Sequence, residues 1–418
     1  MLQSFRHSFQ SHNREVTMPT QSISSLHNIT VIDMTEAMAG PYAAMILGDL
    51  GADVIKIERA GAGDSSRGWG PPFINGESSY FLSVNRNKRS MTLNLKTEEG
   101  KTILHRLIEK ADIFLHNQPR ITSQRKLQID YDTLNAINPR LIYCAVSGYG
   151  MTGPYAGRSG YDVIAQGESG TMALTGGPKD PPIRFPGPMA DITAGVYTAL
   201  SALAALIARE QTDRGQFIDT ALLDGQLTWV MNIASSYFAT DQRPPKRGNN
   251  HPTITPYEPF DAADKPFIIG VGSERLWGKF IDALSLNDTI GTDQRFQTNA
   301  ARLQHRQELH EALEAIFITQ PAEHWLNIFR PLGIPCGPIN HLDETLNDPH
   351  IQARGMVQTM QHPVAGKIRM LGNPMHLSET PPRYRLAPPT LGQHTEEVLR
   401  ELGYDHSMII RLREDGVI

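Results

Sequence analysis

The residue best suited to covalent chemistry is Asp191, the one acid in Pro186-Gly187-Pro188-Met189-Ala190-Asp191-Ile192-Thr193-Ala194-Gly195. A turn-dense approach precedes it, and an apolar stretch of helical character, Val196 to Ala208, follows. At a helix N-terminus the backbone dipole favours negative charge, so this carboxylate is expected to be ionised. An ionised carboxylate facing a cleft can attack an activated acyl group and hold it covalently. The same position also suits an N-cap, a common role for Asp. No Ser-His-Asp order, H-E-x-x-H, cysteine pair or Walker motif competes with it, so no metal site is expected.

Two further groups of residues could serve a ligand. Gly148-Tyr149-Gly150-Met151-Thr152-Gly153-Pro154 is a turn sequence whose backbone N–H groups could face one, and Gly160-Tyr161-Asp162 and Gln166 follow it. Tyr161 could lie over a thioester or a planar ring. Basic residues gather in the first third: Arg59, Arg67, Arg86, Lys88, Arg89, Lys96 and Arg125. Grouped near strand ends they suit a ligand with several phosphates; spread over a surface they are a solvated basic face.

The elements that must position these residues read as α/β. Residues 29–33 form a buried strand, Tyr42 to Leu50 a helix and residues 52–58 a second strand, which is a β-α-β unit. The pattern continues with helices over 100–110 and 131–137 and strands over 111–115 and 141–146. The first strand-to-helix turn, Thr35 to Pro41, lacks G-x-G-x-x-G, so a Rossmann-like scaffold is expected without a dinucleotide. A strand over 267–272 and helices over 274–284 and 302–318 read as a second, smaller domain. The expected organisation is a tail over 1–21, a large domain beginning over 22–205, a linker over 206–225, a small α+β domain over 226–330, and a linker and C-terminal return over 331–418.

Bulk properties narrow the class. The chain has 418 residues, 40% hydrophobic and 20% charged, with net charge −5 and two cysteines. This is ordinary globular composition without the basic excess of a nucleic-acid binder. No apolar run reads as long and charge-free enough to span a membrane. A reducing, cytoplasmic setting is expected.

Taken together, these motifs resemble the class III CoA-transferases. The likeness is carried by Asp33 to Arg59, Asn85-Arg86-Asn87-Lys88-Arg89-Ser90, Ser147 to Pro154, Gly160 to Gln166, Asp191 to Gly195, Asp213-Arg214-Gly215-Gln216, Gly333 to Asn340 and Leu391-Gly392-Gln393-His394-Thr395. Trp69-Gly70-Pro71-Pro72 and Ser83 to Lys88 look like the succinyl-CoA:glutarate branch. The resemblance implies an interlocked homodimer of large and small domains. It implies Asp191 as nucleophile, and Met38, Ala39, Arg59, Leu93, Lys96, Asn117, Gln118, Arg125 and Tyr161 as coenzyme A contacts. It implies acyl-CoA and a carboxylic acid, such as a short dicarboxylate, as substrates, with no permanent cofactor. The alternative within the resemblance is an acyl-CoA α-carbon racemase, but those enzymes place a His where Tyr161 stands here. A phenol with an ordinary pKa of about 10 is a poor base for an α-proton.

Overall fold

The computed structural model describes residues 24–418, so the tail expected over 1–21 lies outside the described residues. The first half of the chain lays down strand β1 (Thr30–Met34), helix α1 (Ala39–Asp49), β2 (Asp53–Glu58), α2 (Ser79–Val84), β3 (Lys88–Thr92), α3 (Glu98–Ile108) and β4 (Ile113–His116). It continues with α4 (Ile121–Leu127), α5 (Tyr131–Ile137), β5 (Ile142–Ser147), α6 (Asp162–Glu168), α7 (Met189–Thr212), β6 (Phe217–Ala221) and α8 (Leu222–Leu227). The six strands form one all-parallel sheet in the order β3-β2-β1-β4-β5-β6. Strand order reverses between β1 and β4, and in open α/β sheets ligands bind beyond the strand C-termini at such a point.

Both faces of the sheet are covered, as the apolar central strands require. On one face α3, α5 and the C-terminal helices over Thr395–Glu401 and His406–Glu414 bury Leu104, Leu107, Leu134, Val398, Leu399 and Leu412. On the other, α1 and α7 meet through small residues, Ala43 and Ala44 against Ala199, Ala202 and Ala205. The approach is tight near the start of α7. A Cβ on Gly195 would lie 2.7 Å from the Ala39 carbonyl oxygen, so glycine there lets the acid-bearing end of α7 reach the turn after β1.

A second core belongs to a three-stranded antiparallel sheet of β7 (Tyr257–Phe260), β8 (Phe267–Gly270) and β9 (Cys336–Pro338). Helices α9 (Glu274–Ala283), α10 (Asn299–Gln304), α11 (Arg306–Phe317) and α12 (Ala322–Phe329) pack on it, and Phe260, Phe267, Phe280, Phe317 and Phe329 fill the space between. A hairpin of β10 (Val357–His362) and β11 (Gly366–Leu371) follows and packs Ile368 and Met370 against Leu82. Helices α13 (Thr395–Glu401) and α14 (His406–Glu414) then return to the large sheet.

The elements differ from the sequence reading in four places. The basic run at Lys88 is the edge strand β3, because its side chains are neutralised inside the protein. The helix expected over 302–318 is two, broken at His305. Residues 206–225, expected as a linker, carry the end of α7, strand β6 and the start of α8, so β6 belongs to the large sheet; β9 also lies past the expected small-domain limit at 330. Finally, α7 does have the length and apolarity to cross a membrane, although half of its most apolar stretch is buried in the protein. Its alanines pack against α1 and the sheet.

Candidate active site

Behind the turn that follows β1 lies a closed set of charges. Asp33, Lys56, Asp64 and Lys88 are all buried. Lys88 Nζ donates to Asp33 Oδ2 at 2.9 Å, to the Pro41 carbonyl at 2.8 Å and to Asn85 Oδ1 at 2.8 Å. Lys56 Nζ pairs with Asp64 Oδ2 at 2.9 Å and donates to the Thr35 carbonyl at 2.7 Å. Burial alone would raise the Asp33 carboxyl, yet Lys88 and Lys56 outweigh it and hold it below the usual range. Burial brings Lys88 down to about 8, opposed by Asp33. This network fixes the turn whose residue Ala37 has φ of 72°, a conformation costly for a residue with a Cβ. The Ala37 N–H is in turn held by Asp64 Oδ1 at 3.1 Å.

The switch point is stitched from the other side by Asn117, just past β4. Its Nδ2 donates to the Glu36 carbonyl at 2.9 Å, and its Oδ1 accepts from the Glu36 N–H at 3.3 Å. After β5 the chain crosses itself, with no room for a Cβ on Gly148 beside Gly160. The N–H groups of Gly150 and Met151 bond to Ser147 Oγ and Asp219 Oδ2, so both are engaged within the protein.

These loops enclose a cavity of about 630 Å³ at the C-terminal ends of β1, β4 and β5, with Asp191, Asp162, Tyr80, Trp69 and Tyr161 in its wall. Asp191 is the third residue of α7 and does not cap it: Pro188 occupies the cap position. The Ala190 N–H goes to Asp162 Oδ1 at 2.8 Å, while Asp162 Oδ2 accepts from Gln166 Nε2 at 2.7 Å. Asp162 therefore caps the helix from outside and leaves the Asp191 carboxylate open to the cavity. The expectation that the helix terminus keeps Asp191 readily ionised is corrected. Burial, and secondly the Asp162 charge, raise its pKa to about 7, because desolvation outweighs the dipole. Tyr80 is pushed up to about 12 by burial and by Asp191 and Asp162, so it remains a donor at neutral pH. Its ring meets Trp69 edge-on at 4.9 Å.

Of the residues expected at the site, Met38, Ala39, Asn117, Gln118, Tyr161 and Asp191 line this one cavity. Arg59, Leu93, Lys96 and Arg125 do not line it. Arg59 is exposed and pairs with Glu36, a lining residue, at 3.2 Å; Leu93 is buried in the sheet core; Lys96 follows β3; Arg125 lies on α4. Four cations of the expected phosphate cluster are structural instead. Arg67 pairs with Glu58, Arg86 with Asp49, Lys88 with Asp33, and Arg89 with Asp53, Glu397 and Glu401. Conversely Tyr80, Arg158 and Arg184 line the cavity although nothing in the sequence reading singled them out. The available signal for the arginines was their setting, in the turn-rich segments 151–161 and 181–190 that contain no acid.

Similarity to known proteins agrees with this geometry. Residues 26–395 match the model of CoA-transferase family III. The chain is 39% identical over 399 residues to the succinyl-CoA:glutarate CoA-transferase of Mus musculus, covering 95% of this chain and 91% of that protein. It is 38% identical to the succinate–glutarate CoA-transferase of Agrobacterium fabrum, over 90% of this chain and 95% of the relative. The crystal structure of a CAIB/BAIF family protein from Brucella suis superimposes with a TM-score of 0.81 at 37% identity, over 91% of this chain and 99% of that one. With the cavity at its topological switch point and this match over nearly its full length, the chain belongs to CoA-transferase family III and is an enzyme that transfers coenzyme A.

Proposed function

We propose that this enzyme moves coenzyme A from succinyl-CoA to a short dicarboxylate such as glutarate, with Asp191 carrying the acyl group and then the coenzyme. The observation that carries this reading is the Asp191 carboxylate, open to the cavity and free of hydrogen bonds among the described residues, on the first turn of α7. A nucleophile needs an unshared lone pair and a water-poor surrounding, and this is the acid in the cavity wall that has both. The names of the relatives in mouse and Agrobacterium fabrum support the substrates.

In the proposed sequence Asp191 attacks the thioester carbonyl, forming a mixed anhydride and releasing the coenzyme A thiolate. The thiolate attacks the aspartyl carbonyl and expels the donor acid as its carboxylate, leaving an aspartyl-CoA thioester. The acceptor carboxylate attacks that thioester to give a second anhydride and thiolate. The thiolate then takes the acceptor acyl group and regenerates Asp191. Tyr80, held protonated beside Asp191, supplies a donor toward the oxyanion that each step creates. Met38, Ala39, Gln118 and Tyr161 contact the acyl-CoA within the cavity, while Arg59, Lys96 and Arg125 meet its nucleotide end outside it. Asn117 acts through backbone and position, and Leu93 by packing.

The active unit is proposed to be an interlocked homodimer. An apolar stripe along α7 supports this: Ile192, Val196, Leu200 and Ile207 are between 39% and 70% exposed, a face that a second copy would cover. Light scattering is expected to give twice the chain mass, and a monomer stable to dilution would reject the dimer. The function is tested by incubating the enzyme with succinyl-CoA alone, reducing the acyl-enzyme with tritiated borohydride and mapping the labelled peptide. Tritium on the Asp191 peptide is expected, as is coenzyme A transfer to added glutarate when borohydride is omitted. Full activity in an Asp191→Ala variant would overturn the reading.

A further inference from the structure

Two guanidinium groups in the cavity wall, those of Arg158 and Arg184, have no carboxylate partner among the described residues, whereas the acids beside them are occupied or reserved. Glu36 accepts from Arg59 and from the Ser65 N–H, and Asp162 accepts from the Ala190 N–H and from Gln166. Asp191 is the nucleophile under the reading above. The buried and half-buried arginines Arg67, Arg86, Arg89, Arg209 and Arg302 sit in ion pairs, whereas, among the described residues, Arg158 and Arg184 face the cavity without one. Arg158 lies 3.8 Å over the ring of Tyr155, which orients its planar fork without neutralising it. Arg184 stands in the Pro-rich approach to α7, on the same segment as Asp191.

We infer that Arg158 and Arg184 hold the far carboxylate of a dicarboxylic acyl group or acceptor while its near end reacts at Asp191. This makes them the residues that select dicarboxylates over monocarboxylates, and it rests on the dicarboxylate reading above. The two arginines reach the cavity from different segments, one between β5 and α6 and the other before α7. Neither is among the charges that perturb Asp191, which leaves them free for the opposite end of a two-ended substrate. Arginine forks match carboxylates in a bidentate way that a lysine ammonium does not. The phosphates of coenzyme A lie a pantetheine arm away from the thioester carbon. Cations adjoining Tyr161 and Asp191 in sequence are therefore placed for the acyl end.

The test compares glutarate with valerate as acceptors and succinyl-CoA with butyryl-CoA as donors, pairs of equal carbon count that differ in the far carboxylate. Full-length wild type, Arg158→Gln, Arg184→Gln and Arg184→Lys are assayed, and coenzyme A binding is measured by calorimetry. The ratio of kcat/KM for glutarate over valerate is expected to fall roughly 10- to 100-fold in each Gln variant, the loss of a charge-assisted hydrogen bond, and to recover in part in the Lys variant. The succinyl over butyryl ratio for acyl-enzyme formation is expected to fall in parallel. If both ratios stay within about twofold of wild type, the inference is overturned, as it is if the loss appears instead as weaker coenzyme A binding. A wild-type enzyme that ignores glutarate would overturn the dicarboxylate reading and this inference with it. Unchanged ratios in variants of an enzyme that uses glutarate overturn this inference alone.

Discussion

Two sets of charges lie on either side of the turn after β1, and they have opposite designs. Behind it, Asp33, Lys56, Asp64 and Lys88 are buried with their ionic groups matched one to one. In front, and among the described residues, Asp191 is partly open with no hydrogen bond, and Arg158 and Arg184 are exposed with no acid partner. The first arrangement has nothing left to offer a ligand. The second keeps its charged groups available to a substrate. Charge type alone does not separate structural from functional residues here; the difference lies in whether the partner is already present.

Breaking the open side at its centre has the largest expected effect. Asp191→Asn should lower transferase activity by roughly 10³-fold or more, because the covalent route is removed, and steady-state assay of acyl exchange measures this. The same variant should not lose stability at pH 8. An acid whose folded pKa is raised from near 3.8 to about 7 stabilises the fold while protonated, and that contribution is lost as pH rises to about 7. Thermal melts at pH 5 and pH 8 check it: the Asn variant should gain on wild type at the higher pH.

Breaking the closed side should cost stability. Lys88→Met strands Asp33 beside one remaining lysine, and removing one partner of a buried pair costs about 3–5 kcal/mol. Urea denaturation measures this, and a double variant with Asp33→Asn is expected to recover part of it. A sharper, smaller effect concerns the pH dependence of the open side. Acyl-enzyme formation from acyl-CoA alone should rise with pH through about 7 as Asp191 ionises. Asp162→Asn should move that limb toward lower pH by removing a like charge. A limb that does not move would mean burial alone sets the value. The smallest effect is expected for Arg59→Gln, whose exposed pair with Glu36 should change stability by at most about 1 kcal/mol.

Much of the scaffold was legible because parallel strands announce themselves as short apolar runs between helices. The helix over Tyr131–Ile137 was read with its exact limits, and β1, β2, β4 and β5 within about a residue or two of theirs. Strand β3 was not legible, since Lys88 and Arg89 look like surface residues until Asp33, Asp53, Glu397 and Glu401 are found beside them. Those partners lie far away in the chain. The helix break at His305 falls in the polar run Gln304 to Glu308, which carries no Gly or Pro to mark it. Asp162 was seen as part of a motif, but its role as the cap of a distant helix could not be read from its neighbours.

By itself the sequence determined that this is an α/β protein without a dinucleotide fingerprint, with one acid poised at the head of an apolar helix. Those features depend on local pattern and on residue type. Tertiary structure alone decided that the acid is held near pKa 7, that Asp162 and Tyr80 stand beside it, and that the arginines in its cavity are Arg158 and Arg184 rather than members of the basic cluster. Desolvation and ion pairing depend on what long-range folding brings within a few ångströms, and no spacing along the chain encodes that directly.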